Sequence, residues 1–238
     1  MFAVIFTVLP KQDRWDEYLS LAKLLRPEIE KIDGFIDNER FRSRQDKARV
    51  LSLSTWRDEK AVIRWRTLGA HHLVQEKGRF QVFEDYHLRV GEIVADTHVP
   101  AGHAIRQQRL DATETGTATF CTITELAPGA DGKPVSADTS AACGVPPIGS
   151  DGRVDFDTFE SIYSPGKLLL LLAWRTESAA AAWSPRQPSP VELRHRRVRI
   201  IRDYSMRDRR EAPQWYPDVA DTVSAERKDT ASEGGSSL

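Results

Sequence analysis

The sequence predicts an α+β protein made of two ferredoxin-like domains, each with the element order β-α-β-β-α-β, whose sheets pack face to face. Two observations lead to this fold class. The chain repeats itself at a fixed spacing, and within each copy the apolar residues switch between a strand period and a helix period. The predicted boundaries are 1–97 for the first domain, 98–117 for a linker, 118–217 for a second, degenerate domain and 218–238 for a disordered tail.

The repeat is clearest in two phrases, STWRDEKAVIRW at 54–65 and LAWRTESAAAAW at 172–183. Both contain Trp-Arg-x-Glu, and in both a second Trp follows nine positions after the first. Aligning residues 2–89 with 120–207 without a gap gives 20 identities at 88 positions, whereas average residue usage would give about 6% by chance. The alignment pairs Arg79 with Arg197, and it predicts a duplicated domain.

The elements of the first copy follow from its hydrophobic pattern. Apolar residues alternate over 2–8, as in a half-buried strand, and recur every three or four positions from Trp15 to Ile29, as in an amphipathic helix that Pro27 is expected to kink. The predicted order is a strand at 2–8, this helix, strands at 35–44 and 48–56, a second helix from Thr55 or Asp58 to about Lys77, and a last strand at 80–94.

The second copy keeps the strands and loses the first helix. Strands are predicted at 118–126, 154–162, 167–174 and 196–204, with a helix from 176, whereas residues 128–150 are rich in Gly, Pro and Ser and lack an apolar stripe. The third strand, LLLLLAW, is apolar on both faces, while its counterpart VLSLSTW has Ser52 and Ser54 on one face. A strand that is apolar on both faces must be covered on both, which favours packing against the sheet of the first copy.

Composition excludes several classes of protein. The net charge of −1 gives no reason to expect a nucleic acid or an anionic membrane as a partner. No apolar run approaches the roughly 18 residues of a membrane span, and two cysteines favour a reducing compartment, so a cytoplasmic protein is predicted. The basic stretch ELRHRRVRIIR at 192–202 is interpreted as the solvated face of a strand. Zinc-ligand spacing, a phosphate loop and a nucleophile elbow are all missing from the sequence.

The first copy resembles the antibiotic biosynthesis monooxygenase superfamily. The resemblance covers residues 1–95 well and 118–205 more weakly, and it rests on Trp56-Arg57-Asp58-Glu59 at a strand end followed by Trp65, His71-His72, Gln75-Glu76, Gly78-Arg79 and Asp85-Tyr86-x-x-Arg89-Val90. It implies a dimeric α+β barrel, here as a pseudo-dimer within one chain, with a homodimer of chains left open. It also implies a pocket between helices and sheet. Family members include monooxygenases that oxidise aromatic polyketides or quinols without a cofactor, and haem-degrading proteins.

A cofactor-free oxygenase needs a substrate that can give an electron to O2 once it has lost a proton. Such a site requires an apolar pocket and a base that titrates near neutrality, most often His. We therefore expect an aromatic small molecule and O2 as partners, with His71 or His72 as the catalytic base and Trp65 as a pocket wall. A regular helix returns His72 to the Trp65 face, but Gly69 can shift that register, so the choice between the two histidines stays open.

Further candidates lie on the last strand and just before it. Arg79 and Tyr86 are the expected substrate contacts, and Arg89 could also hold a substrate oxyanion. The sequence alignment places an arginine at this position in both copies, Arg79 and Arg197, and this equally suits a structural role. His87 follows Tyr86 directly and should point to the opposite face of the strand.

Departures from the family limit the functional prediction. The haem degraders use an Asn on the first strand and a His ten residues after the helix Trp; here the first strand is FAVIFTVL and the second position is Gln75. We therefore expect no haem, no other cofactor and no metal. In the second copy Ser189 and Pro190 replace the histidines, which predicts a lost pocket. The alternative is a non-catalytic small-molecule-binding or interaction protein on the same barrel.

Overall fold

The computed structural model describes residues 1–129, 139–147, 149, 152–186 and 191–214. Its centre is a closed barrel of eight antiparallel strands in the order β1-β3-β2-β6-β7-β5-β8-β4. The strands are β1 (Phe2–Pro10), β2 (Phe35–Ser43), β3 (Val50–Trp56), β4 (Phe83–Asp96), β5 (Phe120–Ala127), β6 (Arg153–Ser161), β7 (Leu168–Trp174) and β8 (Glu192–Ser205). The helices are α1 (Trp15–Glu30), α2 (Glu59–Thr67), α3 (Gly69–Lys77), α4 (Thr139–Ala142) and α5 (Glu177–Ala182).

Each half of the chain supplies four neighbouring strands of the barrel, in the order expected for a ferredoxin-like unit. The halves are joined at both edges, because β2 pairs with β6 and β4 pairs with β8. The two sheets are therefore continuous parts of one barrel and not separate layers. Its core draws buried side chains from both halves, including Ile5, Phe41 and Leu51 from the first and Ile123, Phe159 and Leu169 from the second.

The pairing register records the duplication in the first three strands of each half. Phe2 lies opposite Trp56 in the first half, and Phe120 lies opposite Trp174 in the second. The partners of both tryptophans on the next strand are followed by the same one-residue irregularity, between Phe35 and Asp37 and between Arg153 and Asp155. These strands keep the offset of 118 residues found in the sequence.

The last strand of each half has a different offset. Phe2 also pairs with Glu92, whereas its counterpart Phe120 pairs with Arg199, so the offset here is 199 − 92 = 107. The predicted equivalence of Arg79 and Arg197 is therefore wrong, because the second half is shorter by 118 − 107 = 11 residues before β8. The structural counterpart of Arg89 is Arg196, since both lie opposite equivalent isoleucines.

The helices of the first half differ from the prediction in two places. Helix α1 continues through Pro27 to Glu30, so the expected kink does not divide it; Pro27 lies in the last turn, where its missing N–H removes one hydrogen bond. The second predicted helix is broken at Leu68, whose backbone is extended. It forms α2, capped by the Asp58 side chain, and α3, and a π-helical turn over Gly78–Val82 delays the start of β4.

The second half has less helical cover. In the described part of residues 128–150 the helical structure is the four-residue α4, and α5 has six residues. The predicted positions Ser189 and Pro190 and the tail at 218–238 lie outside the described residues. Both cysteines are buried and free. No helix in the described part of the chain has the length and apolar content to cross a membrane.

The basic stretch on β8 is not the solvated face that the sequence suggested. Arg196 is only 1% exposed, and its guanidinium pairs with Glu125 inside the barrel. Arg194 pairs with Asp96 at 2.7 Å. Alternate residues of a strand point to opposite faces, so these two arginines point inward, and carboxylates from neighbouring strands compensate their charge.

Candidate active site

A largely apolar cavity of the first half lies between its helices and the outer face of its sheet. It measures about 200 Å³, which exceeds the ~150 Å³ of an engineered apolar cavity that binds benzene. Helices α1 and α2 contribute apolar walls, among them Leu21, Leu25 and Val62. The cavity can therefore hold an organic molecule larger than a single ring.

The floor of this pocket is polar because β2 and β3 carry small polar side chains on their outer face. The Asn38 amide donates to the Ser52 hydroxyl at 3.1 Å and to the Leu53 carbonyl at 3.0 Å. The Ser54 hydroxyl accepts from the indole of Trp56 at 2.9 Å. The face with Ser52 and Ser54 that the sequence singled out is thus the pocket floor. Trp56 lies on the same face of β3 and is fully buried under the helices.

Trp65 and His71 form one wall of the pocket. Their rings stack with centroids 4.1 Å apart and an interplanar angle of 17°. The Nδ1 atom of His71 lies 2.9 Å from the Trp65 carbonyl oxygen. A carbonyl oxygen only accepts, so Nδ1 carries the proton of the neutral ring and Nε2 is left as an acceptor. Burial lowers the pKa of His71 from 6.5 to about 4, which keeps the ring neutral at physiological pH.

The two adjacent histidines have different surroundings. His71 lines the pocket, whereas His72 is exposed and lies outside the described lining. The break at Leu68 explains the choice, because α3 starts in a new direction and the regular register from Trp65 does not apply. The structure thus brings His71, and not His72, together with Trp65.

A cluster of Arg79, Tyr86 and Arg209 forms another part of the lining. The buried Arg79 donates from Nη1 to the Tyr86 hydroxyl at 3.2 Å and to the Met206 carbonyl at 2.9 Å. Arg209 donates to the same hydroxyl at 2.5 Å. The two predicted substrate contacts therefore lie side by side, with a second guanidinium beside them.

Sequence reasoning missed the contribution of the segment 206–214, which follows β8. Arg209 Nη2 donates to the Gln214 carbonyl at 2.7 Å, and the Gln214 side chain donates to Gln75 at 3.3 Å. This segment belongs to the second half of the chain, yet it covers the pocket of the first. Arg209 and Tyr86 are 123 residues apart, and no spacing pattern signals a contact at that distance.

The described lining carries an excess of positive charge. It includes six arginines and one carboxylate, Glu59; the arginines are Arg26, Arg40, Arg66, Arg79, Arg202 and Arg209. Glu59 is itself paired with Arg109 at 2.8 Å, and the exposed Arg26 with Glu30 at 2.9 Å. A cationic and partly apolar cavity favours an organic anion, because guanidinium groups match carboxylate geometry.

The corresponding space in the second half is filled by its own side chains. Trp183, the counterpart of Trp65, packs 5.8 Å from Trp174 and 5.5 Å from His195, ring centre to ring centre. Its indole donates to the Gly144 carbonyl at 3.1 Å. Cys143 and the outward-facing leucines of β7 complete this cluster.

The described residues include no group of three or more His, Cys, Asp or Glu side chains that could hold a metal ion. His87, which the sequence placed on the face opposite Tyr86, indeed points away from the pocket and pairs with Asp203. Arg89 also points into the barrel and lies outside the described lining of this pocket.

Comparisons with known proteins agree with this architecture. The antibiotic biosynthesis monooxygenase family matches residues 1–77. A protein of Pyricularia oryzae named jasmonate monooxygenase ABM is 41% identical over 221 residues, which cover 91% of this chain and 99% of that protein.

Two solved structures share the fold. A crystal structure of aldoxime dehydratase has a TM-score of 0.51 at 9% identity and covers 84% of this chain and 80% of its own. The aldoxime dehydratase OxdRE with butyraldoxime has a TM-score of 0.53 at 10% identity and covers 84% and 79%. At such low identity the likeness concerns the fold alone. From the sequence relationship, this chain is a monooxygenase-like member of the antibiotic biosynthesis monooxygenase family.

Proposed function

We propose that the pocket of the first half binds a small organic acid with an apolar body, of the jasmonate class, and catalyses its monooxygenation by O2. The lining is the observation that carries this proposal: six arginines and one carboxylate surround an apolar cavity of about 200 Å³. A jasmonate combines a carboxylate with a cyclopentanone ring and an apolar side chain. The name of the 41% identical relative supports the same substrate class.

The residues have separate roles in this proposal. Arg79 and Arg209 hold the substrate carboxylate beside the Tyr86 hydroxyl, since charge-assisted hydrogen bonds to guanidinium are strong and directional. Trp65 lies against the apolar body and excludes water. His71 is neutral, with its proton on Nδ1, so Nε2 can accept a proton from a C–H bond acidified by the ring ketone.

We further propose that the reaction needs no cofactor. The substrate then gives all four electrons that O2 takes up: a methylene group becomes a carbonyl group, one oxygen atom enters the product, and the other leaves as water with both methylene hydrogens. Hydroxylation of a C–H bond would instead need two electrons and two protons from an external donor. Oxygen uptake without added reductant, with one atom from ¹⁸O2 in the product, is expected. The electron-rich aromatics and quinols predicted from the sequence belong in the same substrate panel.

The direct test compares jasmonic acid with its methyl ester, which lacks the carboxylate charge. We expect kcat/KM for the acid to exceed that for the ester by about 10- to 100-fold, because a hydrogen bond to a charged group contributes about 1.5–3 kcal/mol. His71→Ala should lower kcat by about 100-fold or more, and His72→Ala is the matched control. Equal turnover of acid and ester would contradict the role of the arginines.

A second candidate function is an acid-binding protein without catalysis. The low pKa of His71 favours it, because a base with a pKa of about 4 removes protons weakly at neutral pH. Jasmonic acid would then bind, with its affinity lowered by Arg209→Ala, but oxygen uptake would stay at the background rate with and without a reductant.

The absence of haem is also part of the proposal. His71 is the one histidine in the described lining, and its ring is already held by the Trp65 face and the Trp65 carbonyl. Titration with haemin should give no Soret shift specific to the folded protein. A shift that disappears in His71→Ala would contradict this view. Both halves of one chain close the barrel, which supports an intrachain pseudo-dimer; sedimentation would separate a monomer from a homodimer.

A further inference from the structure

The barrel interior has charged residues at both of its openings, and the duplication makes the two openings counterparts of each other. Inward positions are identified by the core: Ile5 and Ile123 are buried at the centre, and residues two positions away on each strand share their face. The offsets of 118 and 107 residues then match every inward side chain of one opening with one at the other. We call the opening with Glu125 and Arg196 the filled end, and the opening with Thr7 and Arg89 the open end.

The filled end is a closed network of ion pairs. Glu125 pairs with Arg196, and Lys167 lies 2.5 Å from both Glu125 and Glu39. Arg196 also donates to the Thr55 hydroxyl at 3.2 Å. Each of these buried charges therefore has a partner of opposite sign, as a buried ion network requires.

The open end has lost two members of this network. Thr7 stands at the position of Glu125, and Ala173 at that of Thr55, so neither partner of Arg196 has an equivalent beside Arg89. Both replacements line a cavity of about 230 Å³, together with Arg89 and Asp157. The cavity lies inside the barrel, where the filled end has side chains, and it is separate from the pocket under α1 to α3.

The cation of the network is also displaced at the open end. Arg49 replaces Lys167 and lines the cavity, but its side chain is 48% exposed and also pairs with Asp46 at 3.8 Å. Asp157, the counterpart of Glu39, accepts from Ser43 at 2.8 Å, just as Glu39 accepts from Ser161. Burial raises the pKa of the Asp157 carboxyl, although the Ser43 hydrogen bond and the charge of Arg49 act in the opposite direction.

The open end therefore lacks the carboxylate of Glu125, and it has the half-exposed guanidinium of Arg49 where the filled end has the ammonium of Lys167. We propose that the open end binds a small amino acid, whose carboxylate takes the place of Glu125 against Arg89 and whose ammonium takes the place of Lys167 beside Asp157.

Charge balance separates this ligand from simpler ions. A lone carboxylate would bind Arg89 or Arg49 but would face three carboxylates of the lining, those of Asp85, Asp155 and Asp157. Arg89 is 12% exposed and pairs with Asp203 at 3.4 Å, but it has no counterpart of the Glu125 carboxylate that pairs with Arg196. A lone amine would leave that carboxylate position empty. A zwitterion adds both charges and leaves the net charge of the cavity unchanged, so the cost of burying charge is smallest.

The test measures binding to the full chain by calorimetry at pH 7. The ligands are glycine, β-alanine and 4-aminobutyrate, which vary the spacing between the charges, with acetate and methylammonium as single-charge controls. We expect at least one amino acid to bind ten times more tightly than either control. Acetate binding as tightly as every amino acid, or no binding of any amino acid, would overturn the proposal.

Variants place the site inside the barrel. Thr7→Glu restores the Glu125 equivalent, so it should fill the carboxylate position and weaken amino-acid binding at least tenfold, whereas the isosteric Thr7→Val should bind like the wild type. Asp157→Asn should weaken the amino acid about fivefold or more and leave acetate unchanged, which gives a second test should Thr7→Glu fail to fold. Binding that survives both charge-changing variants, or that is lost in His71→Ala, would overturn the assignment.

Discussion

The two halves share one sheet architecture and differ in what lies on its outer face. In the first half Asn38, Ser52 and Ser54 form a polar floor below an open pocket. The equivalent positions in the second half are Phe156, Leu170 and Leu172, which pack into an apolar cluster with Trp183. Three small polar side chains on one sheet face thus accompany a pocket, and three large apolar ones accompany a filled core, on the same backbone.

The largest expected effect comes from exchanging floor residues between the halves. Leu170→Ser in the second half should lower the free energy of unfolding by about 3–4 kcal/mol, because it removes buried apolar volume and buries a hydroxyl. Ser52→Leu in the first half should change the free energy of unfolding by no more than about 1 kcal/mol. It should abolish binding of the organic acid, because the new side chain extends into the pocket.

Urea unfolding and ligand titration of both variants check this comparison. The Leu170→Ser variant should bind the organic acid as tightly as the wild type while it remains folded. A Ser52→Leu variant that still binds the acid, or a large loss of stability from it, would show that the first-half floor is not the ligand site.

A smaller effect is expected where the second half reaches the first-half pocket. Arg209→Ala should weaken binding of an organic acid by about tenfold or somewhat more, since it removes one charge-assisted contact beside Tyr86. Its neighbour in sequence, Arg210, is 67% exposed and pairs with Asp208, so Arg210→Ala is the matched control. An equal loss from both variants would indicate a general charge effect and not a contact.

The smallest effect concerns pH, and each half contributes one histidine. Burial lowers the pKa of His71 and of His195 from 6.5 to about 4. Between these values the unfolded chain binds protons that the folded chain does not, so stability decreases as the pH falls from 6.5 towards 4. After allowance for partial exposure, we expect the free energy of unfolding to fall by about 1 kcal/mol per histidine between pH 7 and pH 5.

Chemical denaturation at pH 7 and pH 5 measures this loss. His71→Gln should remove about half of it, and His72→Gln, at an exposed position, should leave it unchanged. A wild-type protein equally stable at both pH values would show that neither histidine is buried in its neutral form.

The repeated strands could be predicted from the sequence because their pattern is local. Alternating apolar residues located β1, and the Trp-Arg-x-Glu phrase located the ends of β3 and β7. The offset of β8 could not be found in this way. Asp85-Tyr86 and Asp203-Tyr204 are identical dipeptides 118 residues apart, yet in the barrel the counterpart of Tyr86 is Leu193. These identical dipeptides kept the sequence alignment at an offset of 118 residues, although the second half is 11 residues shorter before β8.

The candidate site was predictable only in the part formed by neighbouring residues. Trp65, His71 and His72 belong to one helical region, so a histidine near Trp65 could be predicted. Regular helix spacing favoured His72, whereas the break at Leu68 places His71 beside Trp65. The roles of Arg209 and Gln214 depend on closure of the whole barrel, which brings the end of β8 beside β4. No local pattern encodes that contact.

The segment after β8 also sets the stoichiometry of the protein. In a symmetric pair of identical domains each partner would cover the other's cavity, giving two equal sites per barrel. Here Arg209 and Gln214 cover the first-half pocket, and the matching space in the second half is occupied by Trp183. One barrel thus offers one such site, and binding there should follow a simple hyperbola, without the cooperativity that two coupled sites allow.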